Sequence, residues 1–261
     1  MHIVEKLAAF SREGRGGNPA GVVVCEEFPS DSQMLNIASD VGYSETAFLM
    51  PHADRWRIRY FSPEMEVPFC GHATIASGAA LGERYGPGEY GLVLNQGAIS
   101  VSAIESRTGV YSATLTSPAT ESASVSSALL DEILSVFNFG ADDFDSRIPP
   151  SRASAGADFI VLALKDRQKL RDMAYDFSAL QEICRREEII TVNMLWIESP
   201  SLFHSRNAFA YGGVVEDPAT GAAASALAGY LRDIDWPGNG SFVVLQGEDM
   251  GCPSRLLVSY T

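Results

Sequence analysis

Residues 61–81 read FSPEMEVPFCGHATIASGAAL, and residues 211–231 read YGGVVEDPATGAAASALAGYL. Set at an offset of 150 residues, the two stretches share Glu66 with Glu216, Pro68 with Pro218, Gly71 with Gly221, Ala73 with Ala223, Ala76 with Ala226 and Leu81 with Leu231. Each runs from an extended segment through a Gly-containing turn into a helix of small residues. The chain therefore reads as two copies of one supersecondary unit. Upstream, YSETAFLMP (43–51) lies against NMLWIESP (193–200) with Pro51 over Pro200, an offset of 149, which extends the match to the strand before each turn.

The helices of this repeat are unusual in composition. ATIASGAALG and GAAASALAGYL carry Ala, Gly and Ser on most faces, so backbone can approach them from several sides, as it would inside a curved sheet. Short β-branched runs at 21–24, 46–50, 91–94, 159–164, 190–197 and 242–246 read as strands. Further helical patterns cover 30–40, 127–137 and 178–186, beside 74–85 and 222–231 of the repeat. Strands outnumber helices, so the class is α+β. TSPATESASVSS (116–127) is polar, lacks an apolar period and reads as the linker between halves, and GADDFDSRIPPSRAS (140–154) reads as a surface loop.

Composition narrows the function. With 19 basic against 33 acidic residues the net charge is −14, which repels phosphate backbones and anionic bilayers, so nucleic acid and membrane are not expected partners. The N-terminal stretch has no secretory apolar run, and nowhere do about 18 apolar residues follow one another, so the cytoplasm is the expected compartment. Cys25, Cys70, Cys184 and Cys252 are scattered without a C-x-x-C pair, which signals neither a zinc ribbon nor a disulfide framework.

The chemistry-bearing residues gather around the repeated turn. CGHA (70–73) and ATGAA (219–223) place glycines where helices begin, leaving backbone N–H groups that suit a carboxylate. The plainer reading is a tight strand-to-helix turn. His72 stands at the first turn and Asp217 precedes the second; either type of residue also serves a purely structural turn. Glu45 falls in the expected strand YSETAFLM, where Glu is disfavoured unless it faces solvent or does acid/base work. Together a Glu, a His and an Asp near two helix N-termini suit proton transfer without metal or cofactor, in a cleft between the two halves.

Several of these strings resemble one family. GNPAGVVV (17–24), YSETAF (43–48), RYFSPEMEVPFCGHATIAS (59–77), EDPATGAA (216–223) and QGEDMGCPSRL (246–256) together resemble the phenazine biosynthesis protein F family of the diaminopimelate epimerase-like superfamily. The resemblance implies two pseudo-symmetric lobes, each a β-roll wrapped around a central α-helix. The lobes would be 1–116, joined by the last strand at about 252–261, and 117–251. It also implies a homodimer and a cofactor-independent isomerase that moves a proton between carbons of a small carboxylate-bearing substrate. By position, Glu45 would transfer the proton, His72 and Asp217 would orient the substrate, and Gly71 with the turn Thr220, Gly221 and Ala222 would contact it through backbone groups. The best-known member isomerises a dihydro-hydroxyanthranilate.

Two positions depart from the family pattern: Ala222 stands where TGSA turns have Ser, and Cys252 stands where Arg precedes Pro-Ser. A two-thiol racemase is excluded by Thr220, the repeat partner of Cys70, which leaves a one-thiol racemase or dehydratase using Cys70. A non-catalytic binding module on the same fold is the remaining alternative.

Overall fold

The structure, a computed structural model, describes residues 3–12 and 14–261. It divides into two compact units, Met1–Ala9 with Asn18–Thr116, and Phe10–Gly17 with Ser117–Thr261. In the first unit the order is β1 (Glu5–Ala9), β2 (Asn18–Val24), α1 (Asp31–Val41), β3 (Thr46–His52), β4 (Arg55–Phe61), β5 (Glu66–Val67), α2 (Gly71–Tyr85), β6 (Gly88–Val93), β7 (Ala98–Glu105) and β8 (Tyr111–Leu115). The second has β9 (Thr120–Ser124), α3 (Ser127–Phe137), β10 (Ser151–Ala155), β11 (Asp158–Leu164), α4 (Arg167–Arg171), α5 (Phe177–Glu187), β12 (Ile189–Ser199), β13 (Leu202–Ala208), β14 (Glu216–Asp217), α6 (Gly221–Asp233), β15 (Ser241–Gln246) and β16 (Ser254–Ser259).

The sheets repeat each other strand for strand. The first runs β1-β2-β3-β4-β6-β7-β8 with β5 against β4, and the second runs β9-β10-β11-β12-β13-β15-β16 with β14 against β13. Superposing β1 on β10 carries the parallel pairs β2/β3 and β4/β6 onto β11/β12 and β13/β15. β8 is extra at one end of its sheet, and β9 is extra at the opposite end of the other. The architecture is α+β, two curled sheets each closed on one helix.

Small residues let those helices sit inside. Ala73, Ala76, Ala80 and Leu81 of α2 bury against Ala20, Val22, Ala47, Leu49, Ile58 and Val101. A Cβ on Gly78 would lie 2.5 Å from Val101 Cγ2, so the strand reaches the helix backbone only because that position is glycine. In the second unit Ala223, Ala226, Leu227 and Leu231 of α6 pack on Phe159, Val161, Leu195 and Phe203. There a Cβ on Gly229 would meet Thr120 at 2.4 Å. The outer faces are covered by amphipathic helices: Met34 and Ala38 of α1 on Val23 and Phe48, and α3 with α5 on Ile160, Leu162 and Met194.

Three readings of the sequence need correction. The presumed linker contains β9, paired along its length with β10, because Thr120 fits the groove left by Gly229 and the polar alternation suits an edge strand. The presumed loop 140–154 likewise ends in β10, hydrogen-bonded on both sides. The C-terminal strand β16 pairs with β15 and completes the second sheet rather than joining the first, and residues 10–17 also belong to the second unit, where Arg255 donates its N–H to the Phe10 carbonyl at 2.8 Å.

Candidate active site

The repeated turn is built the same way in both units. A two-residue strand leaves the sheet, crosses a Pro, and enters the central helix at a glycine. An Arg–Glu pair holds each strand down. Arg59 donates Nε and Nη2 to Glu66 at 2.8 and 2.6 Å, and Arg206 donates the same two groups to Glu216 at 3.0 and 2.5 Å. These bidentate pairs fix the turn in two dimensions. They were not read from the sequence, although the shared Glu66 and Glu216 were the signal.

In the first unit the turn gathers Glu45, Cys70, Gly71 and His72. Glu45 is the residue before β3 rather than a member of the strand, so the oddity of a strand glutamate disappears. Its backbone carbonyl still accepts the Gly21 N–H at 3.2 Å, which anchors it to β2 where β3 begins. The carboxylate Oε2 lies 3.4 Å from His72 Nε2, with the Glu45 side chain 17% and the His72 side chain 8% exposed. Ser44 Oγ is 3.5 Å from the same nitrogen, and Cys70 Sγ is 3.2 Å from His72 Nδ1. Burial pushes the His72 imidazole below its ordinary range, opposed by the Glu45 charge and a hydrogen bond with the Pro19 carbonyl.

The floor beneath this group is polar and paired. Tyr60 OH and Thr74 Oγ1 are 2.6 Å apart, and Thr74 Oγ1 donates to the Cys70 carbonyl at 2.7 Å. Burial drives the Tyr60 phenol well above its usual range, so it remains a neutral donor. Cys70 is the N-cap of α2 and offers no capping side chain, so the helix presents its leading N–H groups and positive dipole end at Gly71 and His72.

In the second unit the turn gathers Asp217, Thr220, Gly221 and Ala222. Thr220, the N-cap of α6, donates its hydroxyl to Asp217 Oδ2 at 2.5 Å. Buried Gln246 closes the loop: its Oε1 accepts the Thr220 N–H at 3.1 Å, while its Nε2 donates to the Asp217 carbonyl at 2.8 Å and to Thr220 Oγ1 at 3.0 Å. A Cβ on Gly221 would stand 2.9 Å from the Phe10 ring, so this position tolerates no side chain without a shift. Gln246 was visible in the sequence only as part of QGEDMGCPSRL. Gly247 after it has φ +74°, and a Cβ there would meet the Cys252 carbonyl oxygen at 2.2 Å and that of Pro218 at 2.8 Å. The turn closed by Cys252 thus packs on the segment that carries Asp217.

The sheet ladders also correct the repeat. Thr46 pairs with Phe61, which pairs with Glu66; Val192 pairs with Ala208, which pairs with Glu216. Thr46 therefore corresponds to Val192, an offset of 146, and Glu45 corresponds to Thr191 rather than to a residue 149 further on. The helical turn Ala210–Gly212, inserted between β13 and β14, accounts for three residues of the drift, and a register shift in β12 between Ile197 and Ser199 accounts for the last. Thr191 is 1% exposed and donates to Asn207 Oδ1 at 2.7 Å within a buried set that includes Asn193 and Ser205.

The sequence profile of the phenazine biosynthesis-like protein family matches residues 7–261. The chain belongs to that family. An uncharacterized isomerase of Pseudomonas aeruginosa is 32% identical over 228 residues, covering 86% of this chain and 79% of that protein. The solved structure of a protein described as a predicted epimerase, also from Pseudomonas aeruginosa, aligns with a TM-score of 0.86 at 25% identity over 99% of this chain and 92% of that one. A hydroxyproline epimerase from Agrobacterium vitis, solved with trans-4-hydroxy-L-proline, shares the fold at a TM-score of 0.65 and 12% identity, covering 99% and 83%. The chain is an enzyme of the isomerase class. Among the described residues no helix is long and apolar enough to cross a membrane.

Proposed function

We propose that the enzyme isomerises a small carboxylate-bearing substrate by moving a proton between carbons, with Glu45 as the acid/base. The observation that carries this reading is the Glu45 carboxylate 3.4 Å from the buried His72 imidazole at the uncapped start of α2. A carboxylate that can take a proton and return it needs a neighbour that donates without competing for it. His72, held neutral by burial, can donate a hydrogen bond to an enolate or enamine oxygen as charge develops there. The N–H groups at the start of α2, at Gly71 and His72, suit the substrate carboxylate.

Asp217, fixed by Thr220 and Gln246, is assigned a substrate-positioning role, with Gly221 and Ala222 offering backbone contacts. Ala222 lacks the hydroxyl of a TGSA turn and Cys252 lacks the guanidinium of the usual motif. The substrate is therefore one that needs neither contact, which argues against the phenazine precursor. The homodimer and the cytoplasmic setting belong to the same reading and rest on the family.

The test is solvent deuterium exchange over a panel of small carboxylates in D2O. Wild type is expected to exchange a substrate C–H that Glu45→Gln leaves at least about 100-fold slower with the ligand still bound. Exchange unchanged by Glu45→Gln would remove the assigned role. One observation favours a second reading, a one-thiol racemase or dehydratase: Cys70 Sγ lies 3.2 Å from His72 Nδ1, close enough for the imidazole to take the thiol proton. In that case Cys70→Ala, rather than Glu45→Gln, abolishes exchange.

A further inference from the structure

Glu45, Cys70 and His72 offer one oxygen, one sulfur and one nitrogen, all lying within 4.8 Å of one another. The set is mixed and semi-enclosed, with Cys70 and His72 buried and Glu45 partly open, so it differs from the solvated acidic clusters common on protein surfaces. We propose that this triad is a binding site for zinc.

The separations are close to those a tetrahedral ion requires. Zinc bonds of about 2.3 Å to sulfur and about 2.0–2.1 Å to nitrogen or oxygen put ligand atoms roughly 3.3–3.6 Å apart. His72 Nε2 stands 3.4 Å from Glu45 Oε2 and 3.9 Å from Cys70 Sγ. Cys70 Sγ stands nearer His72 Nδ1, at 3.2 Å, so closing the set around Nε2 requires the thiol to turn toward that nitrogen. The donors are those that zinc favours over magnesium or calcium, because a thiolate and an imidazole are softer than the all-oxygen shells of the hard cations.

Support around the ligands follows the same logic. His72 has a hydrogen bond with the Pro19 carbonyl, which restrains the imidazole. The Cys70 carbonyl is held by Thr74 Oγ1 at 2.7 Å, which fixes the backbone that carries both Cys70 and His72. Three protein ligands leave the fourth tetrahedral position for water or a substrate carboxylate. The same three positions in the second unit are Thr191, Thr220 and Ala222, which supply no comparable set, so one ion per chain is expected.

Binding is measured without substrate, so its outcome is independent of the proton-transfer reading. Full-length wild type is titrated with zinc in a non-chelating buffer by calorimetry. Cobalt is titrated in parallel, because a cobalt–thiolate bond gives a near-ultraviolet charge-transfer absorption. The expected result is one zinc per chain and a cobalt–thiolate band that Cys70→Ala removes, with affinity falling at least about tenfold in Cys70→Ala and in Glu45→Gln. Thermal melts of the metal-free variants identify any that fail to fold. Should Cys70→Ala not fold, the more conservative Cys70→Ser and Glu45→Gln carry the comparison. No zinc bound by wild type, or zinc bound equally by the folded Cys70 and Glu45 variants, would overturn the proposal.

Discussion

The two units use one backbone plan for opposite chemical ends. At matched positions the first has Glu45, Tyr60, Cys70, His72 and Thr74, while the second has Thr191, Asn207, Thr220, Ala222 and Ala224. Groups able to exchange a proton are concentrated in the first; the second has neutral hydroxyls and amides that satisfy one another, with Asp217 as its charged addition beside the turn. The repeated turn keeps the geometry of a helix start without a side-chain cap in both units, while the side chains around it differ. Acid/base work needs one group whose protonation can change, and a second carboxylate at Thr191 would be buried without a cation to pair with it.

The largest effect expected on stability separates the two Arg–Glu pairs. Glu216 and Arg206 have side chains only 4% and 12% exposed, so Glu216→Ala leaves a buried guanidinium and should cost about 3–5 kcal/mol in urea denaturation. Glu66 and Arg59 are 26% and 17% exposed and Asp31 also pairs with Arg59, so Glu66→Ala should cost about 1 kcal/mol. Equal losses would mean that the turns are held by something other than these pairs.

A smaller effect is expected at the counterpart of Glu45. Thr191→Val removes the hydroxyl that Asn207 Oδ1 accepts inside the second unit, which should cost about 1–3 kcal/mol by the same denaturation measurement. The smallest effect is a pH slope. His72 is surrounded by Glu45, Ser44, Cys70 and the Pro19 carbonyl, and its folded-state pKa lies below the unfolded value. The unfolded chain therefore takes up the proton first as pH falls below about 6.5. Stability from a neutral His72 is present above that pH and declines below it, toward the folded pKa. Melting temperature measured from about pH 5 to 8, roughly 1.5 units either side of that value, should show the slope in wild type and a reduced slope in His72→Gln.

Much of this was legible in the sequence for physical reasons. Ser126 followed by an apolar helical period marks α3 at Ser127–Phe137, and the small-residue helices at the repeated turn reveal both central helices. Identities survive at Glu66 and Glu216 because each closes an ion pair, and at Gly71 and Gly221 because each begins a helix where the chain turns sharply. The strand register was hidden. Pro51 is paired with Trp56 inside β3 while Pro200 stands in the turn after β12, so that identity joins unequal positions, whereas Thr46 and Val192, and with them Glu45 and Thr191, are matched by ladder pairing that no local pattern encodes. Gln246 was hidden for a related reason: its side chain reaches Thr220 across 26 residues of sequence. β9 was misread because an edge strand packed on a glycine needs no apolar alternation.

The division of labour between the units is tested most directly by measuring substrate C–H exchange in D2O for Glu45→Gln beside Thr191→Val, each confirmed folded. The account predicts that exchange is lost in Glu45→Gln and stays within about tenfold of wild type in Thr191→Val. Exchange retained in Glu45→Gln, or lost equally in both, would contradict it.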